Sequence, residues 1–398
     1  MSRHTVVIAG AGPSGLSAAL FLSDLGVPVT VVERGHQPSR DPRAATFHPP
    51  TLELLAPSGV TEALQERGII SPVWQHRDRQ KGLIAAFDLS VLATETSFPY
   101  RLQCEQHKFV EILADKLATR DNVTFQYDTQ LEGVEQDASG VQLVTANGTI
   151  EADWLIGADG GRSLVRKSQG IGFEGFTYKE RFLVITTDYD FGAKGFAVSN
   201  YVADPEEWCA VFQVPGERPG GVWRSVFPMH ADDDEATVIA DVAAAHARVA
   251  RLVNDDTPFE VLHVNTYNVH QRVATTFRKG RICLIGDAAH VNNPLGGMGM
   301  NFGVHDAHNL AGKLAAVIHG TSEEGLLDVF SRQRRFAAEN FLQAMTISNK
   351  RNLEERDPAA KLAKERELAD AAADPDRARE HLMQTSMING FRAANQVE

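Results

Sequence analysis

Cysteine is scarce in this chain, and the short motifs of several enzyme classes are missing. The 398 residues include three cysteines, Cys104, Cys209 and Cys283, and no C-x-x-C pair. Three isolated thiols cannot build a disulfide framework or a multi-cysteine zinc site, so we expect a reducing, cytoplasmic location. Neither the G-x-S-x-G element of hydrolases nor the G-x-x-x-x-G-K-[ST] phosphate loop occurs.

Positive charge is also in short supply. Lys and Arg total 39 against 52 Asp and Glu, which gives a formal net charge of −13. This balance argues against a general surface for nucleic acid or anionic membrane and leaves room only for a local basic pocket. His290, His305 and His308 have no further convincing ligand, so we predict no metal site.

One uncharged run is as long as a membrane helix, namely the 19 residues 5–23. Gly10, Gly12, Pro13 and Gly15 interrupt its middle. Glycine and proline at this spacing predict a strand, a tight turn and a helix instead. We therefore expect no membrane span.

The N-terminal pattern predicts a βαβ unit, with strands at 5–9 and 29–33 and a helix at 14–25. A further helix is predicted at 106–119. Other apolar strands are predicted at 123–127, 140–144, 154–157 and 282–285.

The middle of the chain differs in pattern, because its strands are short, rich in aromatic residues and separated by turn residues. These strands are predicted at 182–188, 196–202, 208–214 and 222–227. They suggest an inserted antiparallel sheet. From residue 309 onward the pattern is helical, and the charged stretch 352–380 is interpreted as a solvated helical face.

The first turn carries a dinucleotide-binding motif. Gly10, Gly12 and Gly15 follow a predicted strand and open a predicted helix, the context in which G-x-G-x-x-G binds a pyrophosphate. Glu33 ends the second strand, where a carboxylate can accept ribose hydroxyls and would repel a 2′-phosphate. The site therefore favours FAD or NAD over NADP, and the motif alone does not choose between FAD and NAD.

Two distant segments resemble signatures of a known family. Residues 154–166 read W-L-I-G-A-D-G-G-R-S-L-V-R, and residues 286–301 read G-D-A-A-H-V-N-N-P-L-G-G-M-G-M-N. They resemble the second and third signatures of the single-component FAD-dependent aromatic hydroxylases, the family that includes para-hydroxybenzoate hydroxylase. Residues 270–274 and 303–314 are also similar to that family.

The resemblance implies an α/β fold, with a discontinuous FAD-binding domain of Rossmann type, an inserted antiparallel β-sheet substrate domain and C-terminal helices. We expect the FAD domain at 1–70, 100–170 and 275–320. The substrate domain is expected at 71–99 and 171–274, and the helical segment at 321–398.

The resemblance also implies most of the cofactor contacts. Asp287 would accept a hydrogen bond from a ribityl hydroxyl, and a helix that begins near Asn301 would direct its positive end at the flavin pyrimidine. With the first motif, the residues expected to bind FAD are Gly10, Gly12, Ser14, Gly15, Glu33, Arg34, Arg43, Gln106, Leu131, Asp159, Gly160, Asp287, Gly297, Met298, Gly299, Met300 and Asn301.

The chemistry implied by the family is monooxygenation. NADPH or NADH reduces FAD, the reduced flavin combines with O2, and a C4a-hydroperoxide passes an OH group to a small aromatic or heteroaromatic, phenol-like ring. Arg224 and Pro294 match family positions near the reaction, and Tyr201, Gln213 and Tyr267 are candidates for the substrate pocket. No catalytic base is assigned.

Several alternatives share part of this evidence. A flavin reductase or a halogenase of related fold would use the same FAD motifs, although a halogenase should carry a W-x-W-x-I-P segment and none is present. A nicotinamide dehydrogenase would leave Asp159 and Asp287 unexplained. A non-catalytic FAD- or ligand-binding protein stays open, because the motifs report cofactor binding more directly than turnover. The protein is expected to be a monomer or a homodimer.

Overall fold

The computed structural model describes residues 4–37, 44–230, 232–254 and 257–398. Within these residues the strands are β1 (His4–Ala9), β2 (Val29–Val32), β3 (Thr46–Phe47), β4 (Ile69–Ser71), β5 (Val73–Asp78), β6 (Gly82–Asp88), β7 (Arg101–Gln103), β8 (Val123–Gln126), β9 (Leu131–Gln136), β10 (Val141–Thr145), β11 (Gly148–Gly157), β12 (Phe173–Thr187), β13 (Ser199–Ala203), β14 (Cys209–Val214), β15 (Val222–Met229), β16 (Val261–Ala274), β17 (Arg278–Lys279), β18 (Ile282–Leu284) and β19 (His290–Val291).

The helices alternate with these strands in the first half and dominate the C-terminal part. They are α1 (Pro13–Asp24), α2 (Pro49–Leu55), α3 (Val60–Arg67), α4 (Gln106–Ala118), α5 (Leu164–Ser168), α6 (Glu235–Ala240), α7 (Val242–Val253), α8 (Gly299–Ile318), α9 (Leu326–Ala337), α10 (Ala344–Leu353), α11 (Pro358–Ala373), α12 (Pro375–Thr385) and α13 (Ile388–Ala394). A π-helical segment, Ala338–Gln343, joins α9 to α10.

The first sheet has the order β17-β18-β11-β1-β2-β8, and β10 and β9 extend it from β11. The pairs β1–β2, β1–β11, β2–β8 and β11–β18 are parallel. Val6, Val7 and Ile8 of β1 are fully buried, as expected for a central parallel strand covered on both faces. The pairing of β18 with β11 returns residues 282–284 to the neighbourhood of the first loop.

The second sheet has the order β19-β16-β12-β15-β14-β13-β5-β6. Its pairs are antiparallel except for β13–β5, which is parallel. A short third sheet, β3-β7-β4, is formed by segments that lie between β2 and β8 along the chain. The fold is therefore α/β, with a Rossmann-type parallel sheet and a separate, mostly antiparallel sheet.

Several predicted elements differ from those in the structure. The strand predicted at 182–188 is longer, because β12 pairs along its length with β16, a strand that the sequence pattern did not reveal. The charged stretch 352–380 is only partly a solvated face, since Glu365, Leu368 and Ala371 of α11 are buried. Among the described residues, no helix is long and apolar enough to cross a membrane.

Candidate active site

The first glycine loop leaves its middle open and its ends closely packed. Gly10 has φ +107°, and a Cβ there would lie 2.5 Å from the Ala158 carbonyl oxygen. A Cβ on Gly15 would lie 2.0 Å from the carbonyl oxygen of Gly10, whereas one on Gly12 would meet no atom of the described residues within 4 Å. The open backbone at Gly12 is where a ligand could approach the start of α1.

Glu33 lies beside this loop at the end of β2. Its carboxylate accepts hydrogen bonds from the backbone N–H groups of Ala11 and Gly35, each at 2.9 Å. The strand end and the glycine loop are thereby connected through one side chain. An acceptor is thus held next to the open position at Gly12.

Ser14 is enclosed by two glycines from distant parts of the chain. A Cβ on Gly286 would lie 2.3 Å from Ser14 Oγ, and one on Gly303 would lie 2.1 Å from it. The start of α1, the turn that carries Asp287 and the first part of α8 can therefore meet only because both positions lack a side chain. Asp287 itself is exposed at this junction.

Asp159 and Gly160 form a second open turn at the end of β11. Asp159 Oδ2 accepts from the N–H groups of Leu164 and Val165 at 2.7 and 3.1 Å, which caps α5. Asp159 Oδ1 has no hydrogen-bond partner among the described residues. A Cβ on Gly160, which has φ +82°, would meet nothing within 4 Å.

A third glycine-rich loop precedes α8. Gly296 and Gly297 have φ values of +115° and +66°. The buried Asn301 side chain donates to the carbonyls of Gly297 and Thr46 at 2.7 and 2.8 Å, and accepts from the His48 N–H at 3.0 Å. Asn301 therefore joins the loop to β3 and to the residue after it.

The remaining predicted cofactor residues have varied environments. Met298 and Met300 are buried, and Gly299 begins α8. Arg34 is exposed, Gln106 begins α4, and Leu131 is buried at the start of β9. Arg43 lies outside the described residues.

The predicted substrate residues lie on one face of the second sheet, with one exception. Strand register places Tyr201, Phe212 and Arg224 on this face. Tyr267 joins them through its pairing with Phe182. Gln213 does not, because it is next to Phe212 in β14 and points to the opposite side. It lines a different cavity together with Asp190, Phe196 and Trp223.

Sequence reasoning missed the most unusual group in this region, Arg101 of β7. Its side chain is only 3% exposed, and within the part of the chain that the structure describes no carboxylate pairs with it. Its Nη2 donates to the Thr385 carbonyl at 3.3 Å, and its guanidinium lies 5.5 Å from the centre of the Trp74 ring. The Tyr201 side chain lies beside the guanidinium, and Arg101 Nε has no hydrogen-bond partner among the described residues.

The groups around Arg101 are polar, buried and uncharged. Burial, followed by the nearby guanidinium of Arg101, lowers the pKa of His48 to about 3. The neutral His48 ring donates from Nε2 to the Gly296 carbonyl at 2.9 Å, which leaves Nδ1 as an acceptor without a partner in the described residues. Burial also raises the pKa of Tyr201, whose hydroxyl lies beside the Gly296 backbone. His381 stacks on Trp74, with ring centres 5.7 Å apart.

Arg101 carries a positive charge into a low-dielectric environment, and burial lowers its pKa. A buried guanidinium without an anion is costly, so this arrangement suits a ligand that brings negative charge. No sequence motif marks Arg101, which is one arginine on a three-residue strand. Residue 101 lies in none of the strands predicted from the sequence.

The residues of the three loops fit FAD. Gly12 and Gly160 leave open space beside a helix N-terminus and a strand end, and Asp159 keeps one carboxylate oxygen without a partner in the described residues. Leu295 of the third loop packs in the same core as Trp74 and Tyr201 of the second sheet. A flavin-binding α/β protein with an adjacent aromatic pocket is the class that this geometry defines.

Comparison with known proteins agrees with this class. A family model described as an FAD binding domain matches residues 3–345. Para-nitrophenol 4-monooxygenase from Pseudomonas sp. (strain WBC-3) is 34% identical over 391 residues, covering 97% of this chain and 96% of that protein. The 6-hydroxy-3-succinoylpyridine 3-monooxygenase HspB from Pseudomonas putida (strain DSM 28022 / S16) is 33% identical, covering 89% and 90%.

Solved structures show the same relationship. The crystal structure of p-nitrophenol 4-monooxygenase PnpA from Pseudomonas putida DLL-E4 has a TM-score of 0.91 and 33% identity, covering 98% of both chains. A ternary complex of aklavinone-11 hydroxylase with FAD and aklavinone has a TM-score of 0.76 and 30% identity, covering 89% of this chain and 70% of that one. The chain belongs to the FAD-binding-domain family and is a FAD-dependent monooxygenase of the aromatic hydroxylase type.

Proposed function

We propose that this protein hydroxylates an ionisable phenol or hydroxylated heteroaromatic ring. The ring C–H becomes C–OH, one oxygen atom of O2 enters the product, the other leaves as water, and NADH or NADPH supplies the two electrons. FAD, when bound, supplies the oxygen-activating chemistry. The 34% identical relative is named for para-nitrophenol and the 33% identical one for a hydroxypyridine, which supports this substrate class.

The FAD contacts that we propose follow from the open turns. The Gly12 backbone would approach the pyrophosphate and Glu33 the adenosine ribose, while Asp287 would accept from the ribityl chain. Gly297 and Gly299 would let the backbone approach the flat ring. The same reasoning assigns the parallel sheet to an FAD domain and the second sheet to a substrate domain, close to the boundaries predicted from the sequence except that β19 of the second sheet lies within 275–320.

The observation that carries the substrate proposal is the buried Arg101 without a carboxylate. We propose that Arg101 and Tyr201 hold the oxygen of an ionised phenol beside Gly296. A phenolate would supply the negative charge that the guanidinium lacks, and an ionised ring is more electron-rich than the neutral phenol. Arg224 and Tyr267 would border the ring from the sheet, and Pro294 from the third glycine loop.

The experiment uses the FAD-loaded full chain with phenols and hydroxypyridines, and with NADH and NADPH in parallel. We expect oxygen uptake and a product heavier by one oxygen atom. We expect Arg101→Met to raise KM for the phenol at least about tenfold, the loss expected for a charge-assisted hydrogen bond, with unchanged FAD content. Arg101→Lys keeps the positive charge, so its KM for the phenol should lie between that of the wild type and that of Arg101→Met.

Arg251→Met is the matched control, because Arg251 lies on α7 and pairs with Glu207 at the surface. 4-Nitrophenol gives a further readout, since its absorbance distinguishes phenol from phenolate. The wild type should bind it as phenolate at a pH where the free compound is mostly protonated. A FAD-loaded enzyme that oxygenates none of these compounds would overturn the function, and an unchanged KM in Arg101→Met would overturn the role of Arg101.

A further inference from the structure

The third glycine loop, residues 291–297, is held from behind by the C-terminal helices. The π-helical segment Ala338–Gln343 runs directly into α10. Gln343, Thr346 and Asn349 follow one another at three-residue intervals, so their side chains lie on one face of this continuous helix. That face is turned toward the loop, and the structure shows a polar contact from each of the three residues.

Two of these contacts reach the loop directly. Gln343 Nε2 donates to the Val291 carbonyl at 3.0 Å, and Asn349 Nδ2 donates to the Leu295 carbonyl at 3.1 Å. These carbonyls lie at the two ends of the segment that contains Pro294. The helix therefore fixes the loop on both sides of the proline.

Thr346 contacts the loop indirectly, by way of Gln271 of β16. Gln271 Nε2 donates to Thr346 Oγ1 at 2.8 Å, and its Oε1 accepts from the Asn293 N–H at 3.0 Å. Gln271, Thr346 and Asn293 are all buried, so each polar group depends on these partners rather than on water. Asn293 Oδ1 in turn accepts from the Leu295 N–H at 3.1 Å.

The network ends next to the proposed substrate site. A Cβ on Gly296 would lie 3.0 Å from Asn349 Nδ2, so the amide packs directly against this glycine. The Gly296 carbonyl also accepts from His48 Nε2, and the Gly296 backbone lies beside the Tyr201 hydroxyl. A displacement of Asn349 would therefore be transmitted to the groups around Arg101 through a single residue.

We infer that Gln343 and Asn349 are positioning residues, which hold residues 291–297 at the distance from the substrate that productive oxygen transfer requires. The inference rests on the proposed hydroxylation. When the loop is displaced, O2 is reduced by two electrons from NAD(P)H and released as hydrogen peroxide, and no C–OH bond forms. These residues thus set the fraction of consumed O2 that enters the product.

The test compares Asn349→Leu and Gln343→Leu with the wild type and with Asn340→Leu. Each of the first two variants removes one side-chain donor from a carbonyl of the loop. Asn340 is the control, because it is exposed and donates only within its own helix, to the Phe336 carbonyl at 2.9 Å. Hydrogen exchange of the full-length chain without FAD measures the loop independently of catalysis. The ratio of hydrogen peroxide to hydroxylated product measures coupling in the FAD-loaded enzyme.

We expect amide exchange in residues 291–297 to accelerate about tenfold in both loop variants, as a lost buried hydrogen bond predicts, and the peroxide fraction to rise several-fold. The control should change neither quantity. Unchanged loop exchange, or faster exchange with unchanged coupling, would overturn the inference. If Asn349→Leu does not fold, Gln343→Leu tests the same claim. A wild type that makes no hydroxylated product would contradict the proposed function, while the exchange data would still report whether these residues hold the loop.

Discussion

At the residue scale, the glycines of the first loop satisfy different requirements. Gly10 is needed by the backbone, because its φ of +107° is unfavourable for a side chain and a Cβ would collide with Ala158. Gly12 has an ordinary extended conformation, with φ −81° and ψ 179°, and open space around it. Folding therefore requires glycine at position 10 but not at position 12, where we propose that the ligand approaches the backbone.

This difference gives a prediction for two alanine variants. Gly10→Ala should lower the free energy of unfolding by about 1–3 kcal/mol, because strain and a steric clash combine. Gly12→Ala should change it by less than about 0.5 kcal/mol and weaken FAD binding instead. Urea unfolding of the FAD-free chain and a flavin titration separate the two effects. Equal loss of stability in both variants would contradict this assignment.

At the element scale, a buried ionic group joins α8, α9 and the turn before β19. Asp306 accepts from Arg334 Nε and is bonded to His290 Nε2, each at 2.6 Å, and it accepts from the Gly286 N–H at 3.0 Å. Burial by itself would raise the pKa of Asp306, but His290 and Arg334 outweigh it and lower the pKa from 3.8 to about 2. This carboxylate therefore fixes the residue that precedes Asp287.

We expect Asp306→Asn to be strongly destabilising, by about 3–5 kcal/mol, because it leaves the Arg334 charge buried without a counter-ion. The variant should also retain less FAD, since Gly286 loses its carboxylate acceptor. Asp328→Asn is a suitable control, because Asp328 pairs with Arg278 at the surface and should cost at most about 1 kcal/mol. Chemical denaturation and flavin content per chain are the measurements, and a cost equal to that of the control would contradict the argument.

At the scale of the whole molecule, the C-terminal helices cover the face of the second sheet that carries Trp74 and Tyr201. His381 of α12 stacks on Trp74 of β5 and Phe87 of β6, and His76 lies two residues after Trp74 on β5. Burial, then the charge of Lys364, lowers the pKa of both histidines from 6.5 to about 4. The packing of these helices on the sheet thus requires two neutral imidazoles.

The lowered pKa values of His76 and His381 make the folded protein less stable in acid. Below pH 6.5 the two histidines bind protons in the unfolded chain but not in the folded chain. Their contribution to the free energy of unfolding is therefore complete above pH 6.5 and is lost as the pH falls toward 4. Each histidine should contribute a slope of about 1.4 kcal/mol per pH unit in that range. Unfolding free energies measured between pH 5 and 8 test this. His381→Phe should flatten the dependence, whereas the exposed His230→Gln should not, and an unchanged slope in His381→Phe would contradict the prediction.

The cofactor half of the candidate site was accessible from the sequence because its signals are local. A strand, a glycine turn and a helix follow one another within residues 4–24, and the conformation of Gly10 depends mainly on its neighbours. The turns at Asp159 and Asp287 are likewise short motifs at strand ends. Such patterns appear in the linear sequence because the chemistry needs residues that are close along the chain.

Which residues come together in the candidate substrate half of the site was decided only by the tertiary structure. Arg101, Tyr201 and Gly296 are far apart in sequence, and a single arginine or tyrosine on a short strand carries no pattern. Strand register also placed Tyr201 and Gln213 on opposite faces of one sheet, although both were predicted for the same pocket. The sequence by itself determined the cofactor and the class of reaction. The choice of ligand depends on which charges are buried without partners, and that is settled only when distant segments pack together.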